Sequence, residues 1–61
     1  MKFKEIRKTY QEAGWELIRQ RGSHQTWAKG SERETIAGKD SDDVPKGLLK
    51  ALLNRIQKPK D

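Results

Sequence analysis

Residues 15–37 read WELIRQRGSHQTWAKGSERETIA, and this stretch decides the fold. It contains three runs rich in the aromatic and branched residues that strands prefer. These runs are residues 15–20, 24–29 and 32–37. Short polar connections separate them, so the stretch predicts three antiparallel strands joined by two hairpins. Three strands with one apolar face are about the minimum for an independently stable sheet.

The register of the first hairpin depends on the length of its loop. A three-residue loop, 21–23, pairs Leu17 with Trp27 and puts His24 on the opposite face from that pair. A two-residue loop shifts the register by one residue and reverses the faces. We predict the three-residue loop, because it gathers Trp15, Leu17 and Trp27 on the face that helices can cover. His24 then lies near the turn, on or beside the open face.

Amphipathic helices flank the predicted sheet. Before it, apolar residues recur at spacings of three and four, which predicts a helix of about three turns. These residues are Phe3, Ile6, Tyr10 and Ala13. Gly14 is well placed to end this helix, and Arg7 is predicted to lie on its solvated face. A wider apolar stripe after Pro45 predicts the last helix. It consists of Leu48, Leu49, Leu52, Leu53 and Ile56.

The order helix–strand–strand–strand–helix predicts an α+β domain of two layers. Both helices pack on one face of the three-stranded antiparallel sheet, and the other face stays open to solvent. The length of 61 residues allows one domain. We expect it to cover residues 1–57, with residues 58–61 as a disordered C-terminal tail.

The composition excludes several kinds of site. The chain has no cysteine, so disulfides and thiolate metal sites are absent. One histidine and scattered acidic residues do not make a structural zinc site, so we expect neither metal nor cofactor. No apolar run approaches the roughly 18 residues of a membrane span, and no secretory segment is found. We therefore expect a cytoplasmic protein without a membrane partner.

The net charge of +5 is distributed unevenly along the chain. Residues 1–31 and 44–61 each carry a balance of +4, whereas residues 32–43 carry −3. Basic ends around an acidic middle suit a polyanion partner. A well-solvated surface has the same pattern, so charge alone does not decide for nucleic-acid binding.

Four features occur in order along this short chain. They are a first helix ending at Gly14-Trp15, Gly22-Ser23-His24 with Trp27 three residues on, a third strand leading to Val44-Pro45, and Gly47-Leu48 opening a leucine-rich helix. As a set they resemble the HicA family, the toxin half of bacterial HicA/HicB toxin–antitoxin pairs. The resemblance covers residues 3–56.

The resemblance implies a double-stranded-RNA-binding-domain-like fold, a ribonuclease that cuts single-stranded mRNA, and a HicB-like antitoxin as partner. It also makes His24 the match to the family's catalytic histidine. Family members usually carry a Pro, often followed within two residues by a His, after the third strand. Here residues 36–39 read IAGK, and His24 is the only histidine.

The chemistry of RNA cleavage needs few protein groups and no metal, because the 2′-OH is an internal nucleophile. A histidine, with its unperturbed pKa near neutrality, suits either of the two proton transfers. One imidazole cannot be base and acid at once, and the sequence does not say which role His24 takes. Arg19, Arg21 and Lys29 flank the hairpin and are candidates to bind the phosphate.

Several residues have a structural interpretation beside the functional one. We expect Gly22 and Ser23 to be turn residues, Gly22 with a positive φ, and contact with a phosphate is the alternative for both. Trp15 and Trp27 are expected in the core, with stacking on bases as the alternative.

Two other classes of function fit the same sequence. A non-catalytic RNA-binding module would bind RNA in a salt-sensitive way and would not need His24. A protein-interaction module would use the open sheet face or the acidic residues 32–43.

Overall fold

The computed structural model of the chain describes residues 1–57. Its elements follow the predicted order, and they are α1 (Phe3–Glu12), β1 (Glu16–Arg21), β2 (His24–Lys29), β3 (Glu32–Ala37) and α2 (Lys46–Gln57). The strands form one antiparallel sheet in the order β1–β2–β3. The predicted α+β architecture is confirmed, and the predicted tail, residues 58–61, lies outside the described residues.

Both helices pack on one face of the sheet and contribute side chains to the core. Of the apolar stripe of α2, however, only Leu52 is buried, and Leu48 is 40% exposed. The core consists of Phe3, Ile6, Tyr10, Trp15, Trp27, Ile36, Val44 and Leu52. Burying a side chain of this size contributes about 1.5–3 kcal/mol, so these few residues carry much of the stability of so small a domain. Both tryptophans are core residues, as predicted. No helix in the described part of the chain is long and apolar enough to cross a membrane.

The helices cover the sheet unevenly. Strands β2 and β3 place Trp27 and Ile36 in the core, whereas all six residues of β1 are exposed. Leu17 and Ile18 keep 42% and 52% of their surface accessible. Strand β1 lies at an edge of the sheet, where it pairs with β2, and α1 and α2 hardly cover it.

The first hairpin has a two-residue loop. Arg21 pairs directly with His24, so the loop is Gly22-Ser23 and the predicted three-residue loop is wrong. Gly22 has a φ of 59°, which suits the first central position of a type II′ turn. The second hairpin also has a two-residue loop that begins with a glycine, since Lys29 pairs with Glu32 and Gly30 has a φ of 60°. The positive φ predicted for Gly22 is confirmed.

A bulge in β1 reconciles this short loop with the predicted strand pairing. Arg19 pairs with Thr26, and Leu17 pairs with Trp27, so Ile18 is an extra residue between the two pairs. Beyond the bulge the register is the predicted one. The Leu17–Trp27 pair and the placement of His24 on the opposite face are therefore both confirmed.

Tyr10 connects the two helices at the centre of the core. Its fully buried hydroxyl donates a hydrogen bond of 2.9 Å to the carbonyl oxygen of Leu52, and its ring centroid lies 5.0 Å from that of Trp15. Burial, assisted by the negative charge of Glu34 and opposed by Arg55, raises the pKa of Tyr10 to about 12.

We predict that Tyr10→Phe lowers the free energy of unfolding by about 1 kcal/mol at neutral pH, because a buried hydrogen bond is lost. The phenol ionises more readily in the unfolded chain than in the folded one. Wild type should therefore lose stability as the pH rises from 10.0 towards 12. Denaturant unfolding followed by circular dichroism should show the difference between wild type and variant shrinking across this interval; a constant difference would contradict the prediction.

Candidate active site on the open face of the sheet

His24 lies at the start of β2 on the face that the helices leave open. Its imidazole is exposed, and no side chain among residues 1–57 forms a hydrogen bond with it. It lines a shallow depression together with Arg19, Arg21 and Thr26. The structure thus brings three of the predicted site residues together with one threonine that the sequence did not single out.

Strand pairing explains how these side chains meet. Arg21 is directly opposite His24, and Arg19 is directly opposite Thr26. Directly paired side chains have Cβ atoms about 4.5–5.5 Å apart, and diagonal neighbours are about 7–8 Å apart. Both guanidinium groups are therefore within reach of a ligand that touches the imidazole. Planar guanidinium groups can bind phosphate oxygens in pairs.

The bulge sorts the side chains of β1 between the two faces. In a regular strand Leu17 would lie on the same face as Arg19 and Arg21, because residues two apart share a face. The extra residue Ile18 turns Leu17 to the face of its partner Trp27. The two arginines stay beside His24, and the apolar side chain leaves that face.

The turn before His24 is tied to the rest of the domain through one carbonyl group. The Ser23 carbonyl oxygen accepts hydrogen bonds from Arg7 Nη2 at 2.9 Å and from the Gly38 backbone N–H at 3.2 Å. Arg7 also donates to Asp40 Oδ1 at 2.6 Å and to the carbonyl oxygen of Ile36 at 3.2 Å. One buried side chain of α1 therefore holds the first hairpin, the end of β3 and the loop that follows it.

The prediction that Arg7 is solvated is wrong, since only 7% of its surface is accessible. The sequence does carry a signal for its burial. Phe3, Ile6, Arg7 and Tyr10 follow the i, i+3, i+4, i+7 spacing of a buried helix face. A charge in such a position needs a partner, and the partner, Asp40, is 33 residues away in sequence.

The other predicted site residues lie in different surroundings. A Cβ built on Gly22 would meet no atom within 4 Å, and Ser23 is exposed, so the turn is accessible. Lys29 is at the other end of β2, where its Nζ donates a hydrogen bond of 2.7 Å to the carbonyl oxygen of Ala13. The structure does not bring Lys29 to the depression around His24.

Within residues 1–57 no group of three His, Asp or Glu side chains is arranged to hold a metal ion. The charged groups that line the depression are the guanidinium groups of Arg19 and Arg21. Its chemistry is therefore that of one imidazole beside two fixed cations, which suits a phosphate ester with a developing negative charge.

Comparison with known proteins identifies the family of the chain. Residues 3–57 match the family model described as HicA toxin of bacterial toxin–antitoxin. The chain belongs to the HicA toxin family. The match covers nearly the whole described chain and confirms the resemblance seen in the sequence. No curated protein and no solved structure gives a significant match to this HicA-family chain.

The bulge predicts different strand pairings for two single-residue deletions in β1. Deleting Ile18 should leave a regular strand with the same partners, so Arg19 still faces Thr26. Deleting Gln20 instead should carry Arg19 to the helix-covered face and bring Ile18 opposite Thr26. Cross-strand nuclear Overhauser effects on the two folded variants measure these contacts. Loss of the Arg19–Thr26 contact in the Ile18 deletion would show that Ile18 is not the extra residue of the bulge.

Proposed function

We propose that this HicA-family protein is a toxin that cleaves mRNA without a metal ion, with His24 as its catalytic histidine. The observation that carries the proposal is the exposed imidazole of His24 in a depression lined by Arg19 and Arg21. The family match supports a toxin of a toxin–antitoxin pair, and the residues of the depression supply the chemistry.

In the proposed reaction, the 2′-oxygen attacks the adjacent phosphorus while its proton is removed. The new 2′-O–P bond forms as the P–O5′ bond breaks, which leaves a 2′,3′-cyclic phosphate and a 5′-hydroxyl end. His24 either accepts the 2′-OH proton or donates a proton to the leaving 5′-oxygen, and the substrate, water or a lysine completes the other transfer. Arg19 and Arg21 stabilise the added negative charge on the phosphorus oxygens.

Single-stranded RNA suits this surface. The depression is shallow and lies on an open sheet, so a strand can lay its backbone across it without unfolding of the protein. Gly22 and Ser23 are proposed to contact the phosphate beside His24, since both are accessible at the turn. Lys29 lies at the far end of β2 on the face of Trp27, so it is not proposed to contact RNA that lies across the open face.

We further propose a HicB-like antitoxin as partner and the cytoplasm, where mRNA is translated, as the place of action. The exposed Leu17 and Ile18 support a protein partner at β1, because apolar side chains there gain free energy when covered. A partner on β1 would also reach Arg19 and Arg21, and so would block the depression. Binding to the folded state would stabilise this small domain by mass action.

We predict that His24→Ala lowers the rate of RNA cleavage about 10²–10⁴-fold, the usual contribution of a positioned general acid or base. EDTA should leave the wild-type rate unchanged, because no metal takes part. Single-turnover cleavage of a labelled single-stranded RNA measures both. Equal cleavage by wild type and His24→Ala would contradict the role of His24. RNA that is bound but stays intact with wild type would make the chain a binding module.

The arginines can be tested separately against a matched control. Arg19→Met and Arg21→Met should each slow cleavage by roughly 10–100-fold, since each removes a hydrogen bond to a charged group, worth about 1.5–3 kcal/mol. Arg33→Met removes the same charge from β3, where Arg33 is held by the carbonyl oxygens of Gly30 and Glu32. Equal effects of all three would mean that only net charge matters.

A further inference from the structure

We infer that Arg7 and Asp40 are positioning residues for His24, which they hold through the Ser23 carbonyl group. This inference rests on the proposed role of His24 in cleavage. Neither residue lines the depression that contains the imidazole, so their effect on the reaction is exerted through the backbone of the turn.

Arg7 contacts the tip of the β1–β2 hairpin. Strand β1 is exposed along its whole length, so the tip of the β1–β2 hairpin gains little from the core. At that tip, the Ser23 carbonyl oxygen is held by the Arg7 side chain and by the Gly38 backbone. These bonds connect the residue directly before His24 to α1 and to the segment after β3.

The guanidinium group of Arg7 binds three acceptors. Nη1 binds Asp40, and Nη2 is shared between the carbonyl oxygens of Ser23 and Ile36. A planar guanidinium holds three acceptors in fixed directions, which the compact ammonium group of a lysine does not. Nε of Arg7 is buried without a hydrogen-bond partner among the described residues, so the hydrogen bonds of the side chain come from its outer nitrogens, while its guanidinium group lies 5.7 Å from the centroid of the Phe3 ring.

Asp40 is the charged partner of Arg7. Its side chain is 63% exposed, whereas that of Arg7 is 9% exposed. Asp40 therefore fixes the direction of a charge that is otherwise surrounded by protein, and it does so from the surface. Replacing it with Asn keeps an acceptor oxygen but removes the negative charge of the acceptor, which weakens the hold on Arg7.

The consequence concerns the placement of the imidazole. A misplacement of about 1 Å can cost up to 10²-fold in rate, even when its cause is far from the reacting atoms. Arg7→Met should therefore lower kcat by about 10–100-fold and leave KM nearly unchanged, since Arg7 does not line the depression where the RNA is proposed to bind. Arg7→Lys should fall between wild type and Arg7→Met, and Asp40→Asn should have the smallest effect.

Arg55 offers a matched control on the other side of the domain. Its Nη2 donates to the carbonyl oxygen of Arg33 at 2.8 Å, and its Nε lies 3.4 Å from Glu32 and 3.6 Å from Glu34. It is an arginine that joins a helix to a strand, as Arg7 does, but away from His24. Arg55→Met should lower the melting temperature and keep the wild-type kcat below that temperature.

The experiment combines steady-state cleavage kinetics with NMR of the imidazole. His24 is the only histidine, so its ring protons give one identifiable set of signals. Arg7→Met and Asp40→Asn should shift and broaden these signals, and Arg55→Met should leave them unchanged. All variants are measured well below their melting temperatures. If Arg7→Met does not fold, Asp40→Asn and Arg7→Lys decide the question by the same two readouts.

Two results would overturn the inference. One is wild-type kcat and unchanged His24 signals in folded Arg7→Met and Asp40→Asn. The other is an equal loss of kcat in Arg55→Met, which would reduce the role of Arg7 to general stability. Failure of the proposed function is distinct, since wild type would then leave RNA intact or His24→Ala would cleave it like wild type. In that case the His24 signals alone still test whether Arg7 positions the imidazole.

Discussion

Two short helices can bury only one face of a three-stranded sheet, and the rest of this structure depends on that constraint. Tyr10, Trp27 and Ile36 fill the single core, and little apolar surface remains to fix the hairpin tip or the edge strand. The same constraint leaves the opposite face open, where His24 lies exposed. Stability and the candidate site therefore occupy opposite faces of one sheet, and polar contacts have to connect the two.

Arg7 and the bulge at Ile18 make that connection in different ways. The bulge lets β1 give Leu17 to the helix-covered face while Arg19 stays beside His24. Arg7 reaches from α1 past the core to the Ser23 carbonyl oxygen. The bulge determines which side chains of β1 line the depression, and Arg7 holds the backbone of the turn before His24. Both depart from regular local patterns, as functional positions often do.

The sequence was sufficient to predict the elements, their order and the buried face, because helix and strand periodicities are local. It was not sufficient for the loop of the first hairpin, although the Gly-Ser pair at 22–23 recurs at 30–31 and favours a two-residue loop in both places. The bulge could not be predicted, since it leaves no mark on the pattern of β1. The helical spacing does indicate the burial of Arg7, but its partner Asp40 is distant in the chain, and only the fold brings the two together.

In the proposed mechanism, His24 on the open face catalyses attack by the RNA's own 2′-OH. The most direct test is an otherwise ribose oligonucleotide with one 2′-deoxy sugar at the cleaved position, compared with the unmodified strand at equal occupancy. We predict that the modified strand binds but is not cut there, and that the unmodified strand yields 2′,3′-cyclic phosphate and 5′-hydroxyl ends. Cleavage of both strands at the same rate, with 5′-phosphate ends, would contradict the claim.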